Sequence, residues 1–144
     1  MVAGFGQNRE PSIHIRKTTQ SITVDGVLNE TVWQQTEKAN DFYISTPIDT
    51  SYARSKTEVM LTYDDKNLYV AAVCYDEIPG AYIIQSLKRD FSYPRSDAFS
   101  VILNPSNDNT NGFSFAVNPR GVQREGSIES GGVFGVTTAW DNLW

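Results

Sequence analysis

The chain has 144 residues, 40% of them hydrophobic and 12% aromatic, which is enough for one globular core and too short for two domains. Its net charge of −5, without any Lys/Arg cluster, argues against nucleic acid as a partner, because phosphate binding needs concentrated positive charge. The single cysteine, Cys74, excludes an intrachain disulfide and a cysteine-based metal site, and no run of about 18 apolar residues predicts a membrane-spanning helix.

We expect a flexible leader over residues 1–11 and a single domain over residues 12–144, since the leader is small, polar and ends in proline. Strands are predicted where apolar and polar residues alternate, or where an apolar run lies between turn residues. These stretches are residues 12–16, 22–24, 57–63, 68–75, 81–87, 97–103, 113–117, 122–128 and 133–138.

One short helix is predicted near residues 29–36. Asn29 is a suitable N-cap, and about two helical turns after it would place Val32 and Trp33 on the inward side. The stretch 40–54 that follows is aromatic and irregular, so we expect it to form loops.

Residues 57–76 predict a β-hairpin. The first arm alternates between apolar and polar residues, and the turn 64–67 (Asp-Asp-Lys-Asn) is rich in side chains that bond their own backbone. The second arm, 68–75, is apolar on both faces, which is typical of a strand covered on both sides, and it would make Cys74 an inert core thiol. A doubly covered arm needs a second layer, so the hairpin favours a β-sandwich.

The short strands, separated by Asn, Asp, Gly and Pro and without a repeat or a long helix, predict an all-β fold. We expect a jelly-roll-like β-sandwich of antiparallel strands with the one short helix. The chain reaches Trp144 without a terminating signal, which predicts a sandwich that lacks its last strands. An unpaired sheet edge would favour a homodimer formed by strand addition or swapping.

Carboxylates at strand ends are candidate ligands for calcium, because hard cations bind carboxylate and loop carbonyl oxygens. The candidate metal ligands are Asp76, Asp97 and Asp108. The alternative interpretation is that aspartate is simply a favoured turn residue, and no Asp-x-Asp-x-Asp-Gly loop occurs.

Catalytic patterns are weak. Hydrolysis by a carboxylate pair needs two groups across a cleft at about 5–9 Å, and Glu58, Asp76 and Asp97 follow no spacing rule for it. His14 is the one histidine, and neither a Gly-x-Ser-x-Gly motif nor a Gly-rich phosphate loop is present. We therefore expect no enzyme.

Aromatic side chains in loop segments are the most suggestive feature. Such rings stack on the apolar faces of sugars, while nearby polar side chains bind hydroxyl groups. The candidate ligand-binding residues are Tyr43, Tyr52, Arg89, Phe91, Arg95 and Trp140. The alternative for each is packing within a loop or the core.

Several stretches resemble the family 9 carbohydrate-binding-module-like domain. The later ones resemble the subgroup found at the N-terminus of large bacterial outer-membrane proteins of unassigned function. The stretches are residues 22–33 (Ile-Thr-Val-Asp-Gly-Val-Leu-Asn-Glu-Thr-Val-Trp), 57–76, 89–90, 96–101 and 111–122 (Asn-Gly-Phe-Ser-Phe-Ala-Val-Asn-Pro-Arg-Gly-Val).

The resemblance implies a jelly-roll sandwich, often with structural calcium, on an exported protein of the bacterial cell envelope or outer membrane. In the family's xylanase modules two tryptophans clamp a terminal sugar. Here Trp140 fits the second position, while residues 40–54 offer Phe42, Tyr43 and Tyr52 for the first. The implied function is non-catalytic glycan binding in carbohydrate catabolism, carried by the N-terminal part of a larger membrane-associated protein. The alternative is a structural or interaction domain that caps an outer-membrane β-barrel.

Overall fold

A computed structural model describes residues 12–44, 51–78, 80–132 and 135–144. The predicted leader, 1–11, lies outside the described residues. The chain divides into two compact units, Met1–Glu77 and Ile78–Trp144, and each is described by itself. The fold is mostly β, with two four-stranded sheets and one short helix. No helix in the described ranges is long and apolar enough to cross a membrane.

The first sheet is organised around one long strand. Its partners are a full-length hairpin arm and two short strands. In chain order the elements are β1 (Arg16–Lys17), α1 (Thr31–Gln35), β2 (Lys38–Ala39), β3 (Thr57–Tyr63) and β4 (Leu68–Cys74). β4 and β2 pair with β3 antiparallel, but β1 pairs with it parallel, with Arg16 opposite Thr62. The prediction of antiparallel strands is therefore wrong for this one pair.

The predicted hairpin is confirmed, with its arms in register from Thr57 opposite Cys74 to Tyr63 opposite Leu68. The Asp64 carboxylate holds the turn, because its Oδ1 accepts hydrogen bonds from the backbone N–H groups of Lys66 and Asn67, each at 2.7 Å. The turn chemistry is thus the one that the Asp-Asp-Lys-Asn sequence predicts.

The core of the first unit lies between the helix and the hairpin. Val32 and Trp33 of α1 are buried against Met60 and Ala71, which confirms their inward orientation. The helix begins one residue later than expected, at Thr31, with Glu30 at the cap position. The Gln20 side chain, rather than Asn29, accepts a hydrogen bond from the Val32 N–H at 3.2 Å and so satisfies part of the helix start.

Further expectations for the first unit are wrong, and of the predicted strand 12–16 only Arg16 is in a strand. β4 is not covered on both faces, because Ala71 is its one fully buried residue while Leu68 and Cys74 are exposed. The Cys74 thiol is therefore not an inert core group. The stretch 22–24 is not a strand: the Thr23 N–H donates to the Glu30 carboxylate at 2.9 Å instead of to a neighbouring strand.

The second sheet is an antiparallel meander in which each strand pairs with the next one in sequence. Its strands are β5 (Phe99–Leu103), β6 (Gly112–Val117), β7 (Gln123–Ile128) and β8 (Val136–Thr137). The first three confirm predicted strands, and β8 confirms two residues, Val136 and Thr137, of the stretch 133–138. The packing of two sheets into a jelly-roll sandwich stays a prediction.

The predicted strand at 81–87 does not form. Ile83 bonds instead to Asp97: the Ile83 N–H donates to Oδ2 of Asp97 at 2.8 Å, and the Asp97 N–H donates to the Ile83 carbonyl at 2.7 Å. The Asp97 carboxylate thus takes the hydrogen bond that a backbone carbonyl of a neighbouring strand would accept. Asp side chains compete with sheet formation in this way.

β6 separates small residues from aromatic ones. Gly112, Ser114 and Ala116 are buried on one face, while Phe113 and Phe115 point to the other face and are half-buried. A Cβ atom at Gly112 would lie 2.7 Å from the Leu103 carbonyl oxygen, so the close approach of β5 requires glycine there. The face of β6 that carries Phe113 and Phe115 also faces the ion pair of Glu125 and Arg89, which is described below.

Candidate functional site

Tyr43 and Tyr52 are brought together in the first unit. They form an isolated antiparallel bridge, flanked by backbone hydrogen bonds from Ala53 N–H to the Phe42 carbonyl at 2.7 Å and from Ile44 N–H to the Ser51 carbonyl at 3.0 Å. Their ring centroids are 4.3 Å apart with the planes tilted by 37°. The bridge therefore fixes both rings on one backbone element.

Both rings are also open to solvent. Tyr43 is 58% exposed and Tyr52 is 59% exposed, and neighbouring Phe42 is 41% exposed. Paired rings of this kind present apolar faces together with phenolic hydroxyl groups, so they can stack on a ligand and hydrogen bond to its edge. Two of the predicted ligand-binding residues thus share one exposed aromatic pair.

A charged cluster lies along β3 and its neighbours in the same unit. Glu58 is 8% exposed, and its carboxylate receives Lys38 Nζ at 2.8 Å and Lys56 Nζ at 2.6 Å. The hydrogen bonds from Lys38 and then Lys56 lower the pKa of Glu58 to about 2. Glu58, one of the carboxylates considered for hydrolysis, is therefore held ionised between two ammonium groups.

Lys56 also contacts an aromatic ring, that of Tyr75, which lies outside the Tyr43–Tyr52 pair. Its ammonium lies 5.2 Å from the centre of the Tyr75 ring, and its side chain is 61% exposed. The hydrogen bond and charge of Glu58 raise the pKa of Lys56, and Asp41, two residues before Tyr43, adds to the effect. Sequence reasoning missed the cluster, although the alternation of Glu58 with apolar neighbours in β3 was a signal for it.

Phe91 is not displayed for a ligand. It is 3% exposed and packs edge-on to Tyr93 with the ring centroids 5.9 Å apart. The Arg124 guanidinium covers the Tyr93 ring at 5.0 Å and donates to the Phe91 carbonyl at 3.3 Å. Arg95 closes the short 3₁₀ turn Tyr93–Arg95 and is exposed, and no salt bridge among the described residues includes it.

Trp140 packs onto the second sheet. Its ring centroid lies 4.7 Å from that of Phe113 and 5.8 Å from that of Phe115, and Trp144 adds a third contact, 5.3 Å from Phe115. Trp140 is half-buried by these contacts. The tryptophan expected in a sugar clamp is therefore part of an aromatic cluster on β6.

Arg89 belongs to a charged centre around Glu125. Glu125 stands opposite Phe115 in the β6–β7 register, so it points to the same face, and it is only 1% exposed. Its carboxylate accepts hydrogen bonds from the Arg89 guanidinium, from the Asn142 N–H at 3.3 Å and from the Trp144 indole N–H at 3.2 Å. Arg89 also reaches Asp141 at 3.0 Å.

The environment of Glu125 keeps it ionised. Burial raises the pKa of its carboxyl, but the hydrogen bonds from Arg89, Trp144 and Asn142 together outweigh burial and lower the pKa to about 2. Sequence reasoning selected Arg89 and missed its partner. The signal was a glutamate at a position that alternation places on an apolar face.

The three candidate metal ligands do not form a cluster. Asp108 stabilises a turn, since its carboxylate accepts from the N–H groups of Thr110 and Asn111 at 2.9 Å, and these bonds lower its pKa well below the ordinary range. Asp97 holds Ile83, and Asp76 follows β4. In the described ranges no group of three or more His, Cys, Asp or Glu side chains is placed to hold a metal ion. Calcium binding stays a prediction.

Each unit also has an open cavity. The first unit's cavity, of about 460 Å³, lies between residues 18–21 and the hairpin turn 64–66. The second unit's cavity, of about 230 Å³, borders Gly112 and Phe113. None of the predicted site residues lines either one, so the candidate contacts are surfaces rather than enclosed pockets.

Comparisons with known proteins add no family to this geometry. Neither protein-family models nor curated proteins nor solved structures match the chain. The function is therefore inferred from the aromatic pair, from the charged groups around Glu58 and Glu125, and from the sequence pattern.

Proposed function

We propose that the chain is a non-catalytic glycan-binding module that holds a sugar ring against the Tyr43–Tyr52 pair. The observation that carries the proposal is that two rings with centroids 4.3 Å apart are each nearly three-fifths exposed. A sugar ring can stack its apolar surface on the exposed part of this pair.

The segment that carries Tyr43 adds a further exposed ring. Phe42 is 41% exposed, and Asp41, next to it in sequence, adds to the effect of Glu58 in raising the pKa of Lys56 in the same unit. Exposed aromatic residues of this kind are typical of a binding surface. The pair, rather than Trp140, is the sugar contact in this proposal, because the Trp140 ring packs on Phe113 and Phe115.

The sequence pattern supports the same function. The stretches 22–33, 57–76 and 111–122 resemble the family 9 carbohydrate-binding-module-like domain. We extend the proposal accordingly: the module belongs to an exported, larger protein of the bacterial cell envelope, and it carries structural calcium as such modules often do.

Isothermal titration of the full chain against a panel of mono- and oligosaccharides tests the proposal. We expect at least one sugar to bind, and we expect Tyr43→Ala/Tyr52→Ala to weaken that binding by about tenfold or more, equivalent to about 1.4 kcal/mol. Tyr82→Ala is the matched control, since Tyr82 is 48% exposed and lies in the second unit. Absence of heat with every sugar, or equal weakening by the control, would remove the proposal.

A second candidate is a structural or interaction domain next to an outer-membrane barrel. It is favoured by the burial of Phe91 and by the packing of Trp140, since two of the four loop aromatics predicted to bind sugar serve internal packing. This candidate predicts that the sugar panel gives no heat while the chain binds the remainder of its larger protein in a pull-down with purified components.

A further inference from the structure

Residues 140–144 lie on the second sheet in the manner of a bound peptide. We call the sheet side that carries Phe113, Phe115 and Glu125 the aromatic face, and we call residues 140–144 the docked segment. The two tryptophans of the docked segment, four positions apart, both contact the aromatic face through their rings. The segment itself has no strand pairing.

Side chains of the sheet and its flanking loop bind the backbone of the docked segment. Arg89 donates to the Asn142 carbonyl at 2.8 Å, Glu125 accepts from the Asn142 N–H at 3.3 Å, and Gln123 donates to the backbone oxygen of Trp144 at 3.0 Å. Peptide-binding domains combine main-chain hydrogen bonds of this kind, which give affinity, with side-chain contacts, which give specificity.

The charged centre is suited to discrimination between segments. Glu125 accepts from the Trp144 indole N–H, and Arg89 pairs with the Asp141 carboxylate. A segment without an indole or amide donor at these positions would leave the Glu125 carboxylate, which is 1% exposed, with fewer hydrogen bonds out of water. The centre therefore favours a segment with an acidic residue between two aromatic ones.

The docked segment is held at the surface although its anchor is buried. Glu125 is 1% exposed, whereas Trp144 is 48% and Leu143 is 92% exposed, and the Asp141 side chain is 78% exposed. Because no strand pairing holds the docked segment, it can separate from the sheet without breaking the β6–β7 pairing, so its opening requires less free energy than unfolding of the sheet.

We propose that the aromatic face is a peptide-docking site, occupied in cis by the docked segment and open to a partner segment of the same chemistry. That chemistry is an extended peptide with two aromatic side chains four positions apart and an acidic residue between them. The site lies in the second unit and does not depend on the sugar contact proposed for Tyr43 and Tyr52.

Binding of a labelled synthetic peptide of residues 138–144 (Thr-Ala-Trp-Asp-Asn-Leu-Trp) to the full chain tests this proposal by fluorescence anisotropy. The wild-type face is occupied, so the apparent affinity is reduced by the fraction of chains that are open. We expect Trp140→Ala/Trp144→Ala, which weakens the cis occupant, to bind the peptide at least about tenfold more tightly than the wild type does. Adding Arg89→Gln to this variant should weaken peptide binding again.

Leu143→Ala is the matched control, because Leu143 is almost fully exposed in the same segment, and it should behave as the wild type. A peptide with both tryptophans replaced by alanine should not bind. Failure of the folded double variant to bind the peptide would overturn the proposal, and so would loss of the sheet in that variant. Hydrogen exchange of the wild type gives an independent check: the Asn142 amide should open while β6 and β7 amides stay protected, and joint exchange of all of them would contradict a displaceable segment.

Discussion

A carboxylate on a strand, held by cationic side chains, occurs in each unit. Glu58 is 8% exposed between Lys38 and Lys56, and Glu125 is 1% exposed beside Arg89. Neither carboxylate is left unpaired, which is the condition under which a polypeptide tolerates a charge out of water. Both therefore fix the geometry of their surroundings: the β2–β3 edge in one unit and residues 140–144 in the other.

These carboxylates predict acid sensitivity. The pKa of Glu58 falls from an ordinary value of 4.5 to about 2, and that of Glu125 falls by the same amount. The folded state then binds protons more weakly than the unfolded chain does, so the stabilisation is complete above about pH 4.5 and declines as the pH falls towards 2. Carboxyl-carbon NMR titration should give both low pKa values, and urea unfolding should show the loss in that pH window.

Glu58→Gln is the variant that checks this acid sensitivity. Glutamine accepts hydrogen bonds from Lys38 and Lys56 but does not titrate, so the first unit should be less stable at pH 7 and its stability should depend less on pH below 4.5. An unchanged slope in the variant, or an ordinary pKa for Glu58 in the wild type, would contradict the assignment.

At the scale of single residues, the sequence indicated some exposed aromatic side chains but did not indicate which polar and aromatic side chains are buried. Tyr43 and Tyr52 were recognisable because aromatic side chains stood in an irregular loop segment. Glu125 was missed because the importance of a buried carboxylate depends on partners at positions 89 and 142, and spacing along the chain gives no sign of them. Phe91 shows the converse, since a loop position does not tell whether a ring points outward.

Close strand approach in the second sheet depends on Gly126. A Cβ atom there would lie 2.5 Å from the Thr137 carbonyl oxygen and 2.6 Å from Val136 Cγ1. We therefore expect Gly126→Ala to push β8 away from β7 and to cost about 1–3 kcal/mol, the usual range for overpacking. Urea unfolding measures the cost, and hydrogen exchange at β8 locates it.

Ser127→Ala, at the adjacent position of the same strand, is the control for Gly126→Ala. Ser127 already carries a Cβ atom opposite Thr137, so its replacement should leave β8 in place. Equal effects of the two variants would show that the β7–β8 contact does not require glycine.

Among the elements, the sequence predicted those whose pairing follows from local pattern. The hairpin of β3 and β4, the strands β5 to β7 and the helix around Trp33 all carry a turn or a period that defines them. The stretches 22–24 and 81–87 have strand-like composition too, but the carboxylates of Glu30 and Asp97 take their backbone N–H groups. Side-chain competition of this kind depends on tertiary approach, which alternation does not encode.

At the scale of the whole molecule, the exposed sheet edge predicts self-association. β5 is the first strand in the order of the second sheet, it contains neither lysine nor proline, and its Ile102 is 63% exposed. Edges of this composition favour strand addition. We expect a concentration-dependent dimer in light scattering after size exclusion, and we expect Ile102→Lys to shift it to monomer.

Val24→Lys is the matched control for Ile102→Lys, because it makes the same charge change at a residue that is 88% exposed and outside any strand. The control should keep the wild-type mass distribution. A dimer that survives Ile102→Lys, or a wild type that is monomeric at every concentration, would exclude association through β5.

At the scale of the whole chain, the sequence predicted an all-β fold with one short helix, and the described residues form a mostly β fold with that helix. The jelly-roll sandwich stays a prediction for a physical reason. Alternation states which residues of a strand share a face, as it does for Phe113 and Phe115, but it does not state what covers that face. It is therefore easier to predict which residues are neighbours within one sheet than to predict which element packs on that sheet.

The parallel pairing of β1 with β3 has a kinetic consequence. Thr62 Oγ1 donates to the Arg16 carbonyl across 46 residues of sequence. In the second sheet, by contrast, each strand pairs with the strand that follows it in sequence. Long-range pairing is slow because a large loop must close first. On a ribosome that adds about 5–20 residues per second, β1 would wait about 2–9 s for its partner to be synthesised. Early folding therefore has to proceed with β1 unpaired.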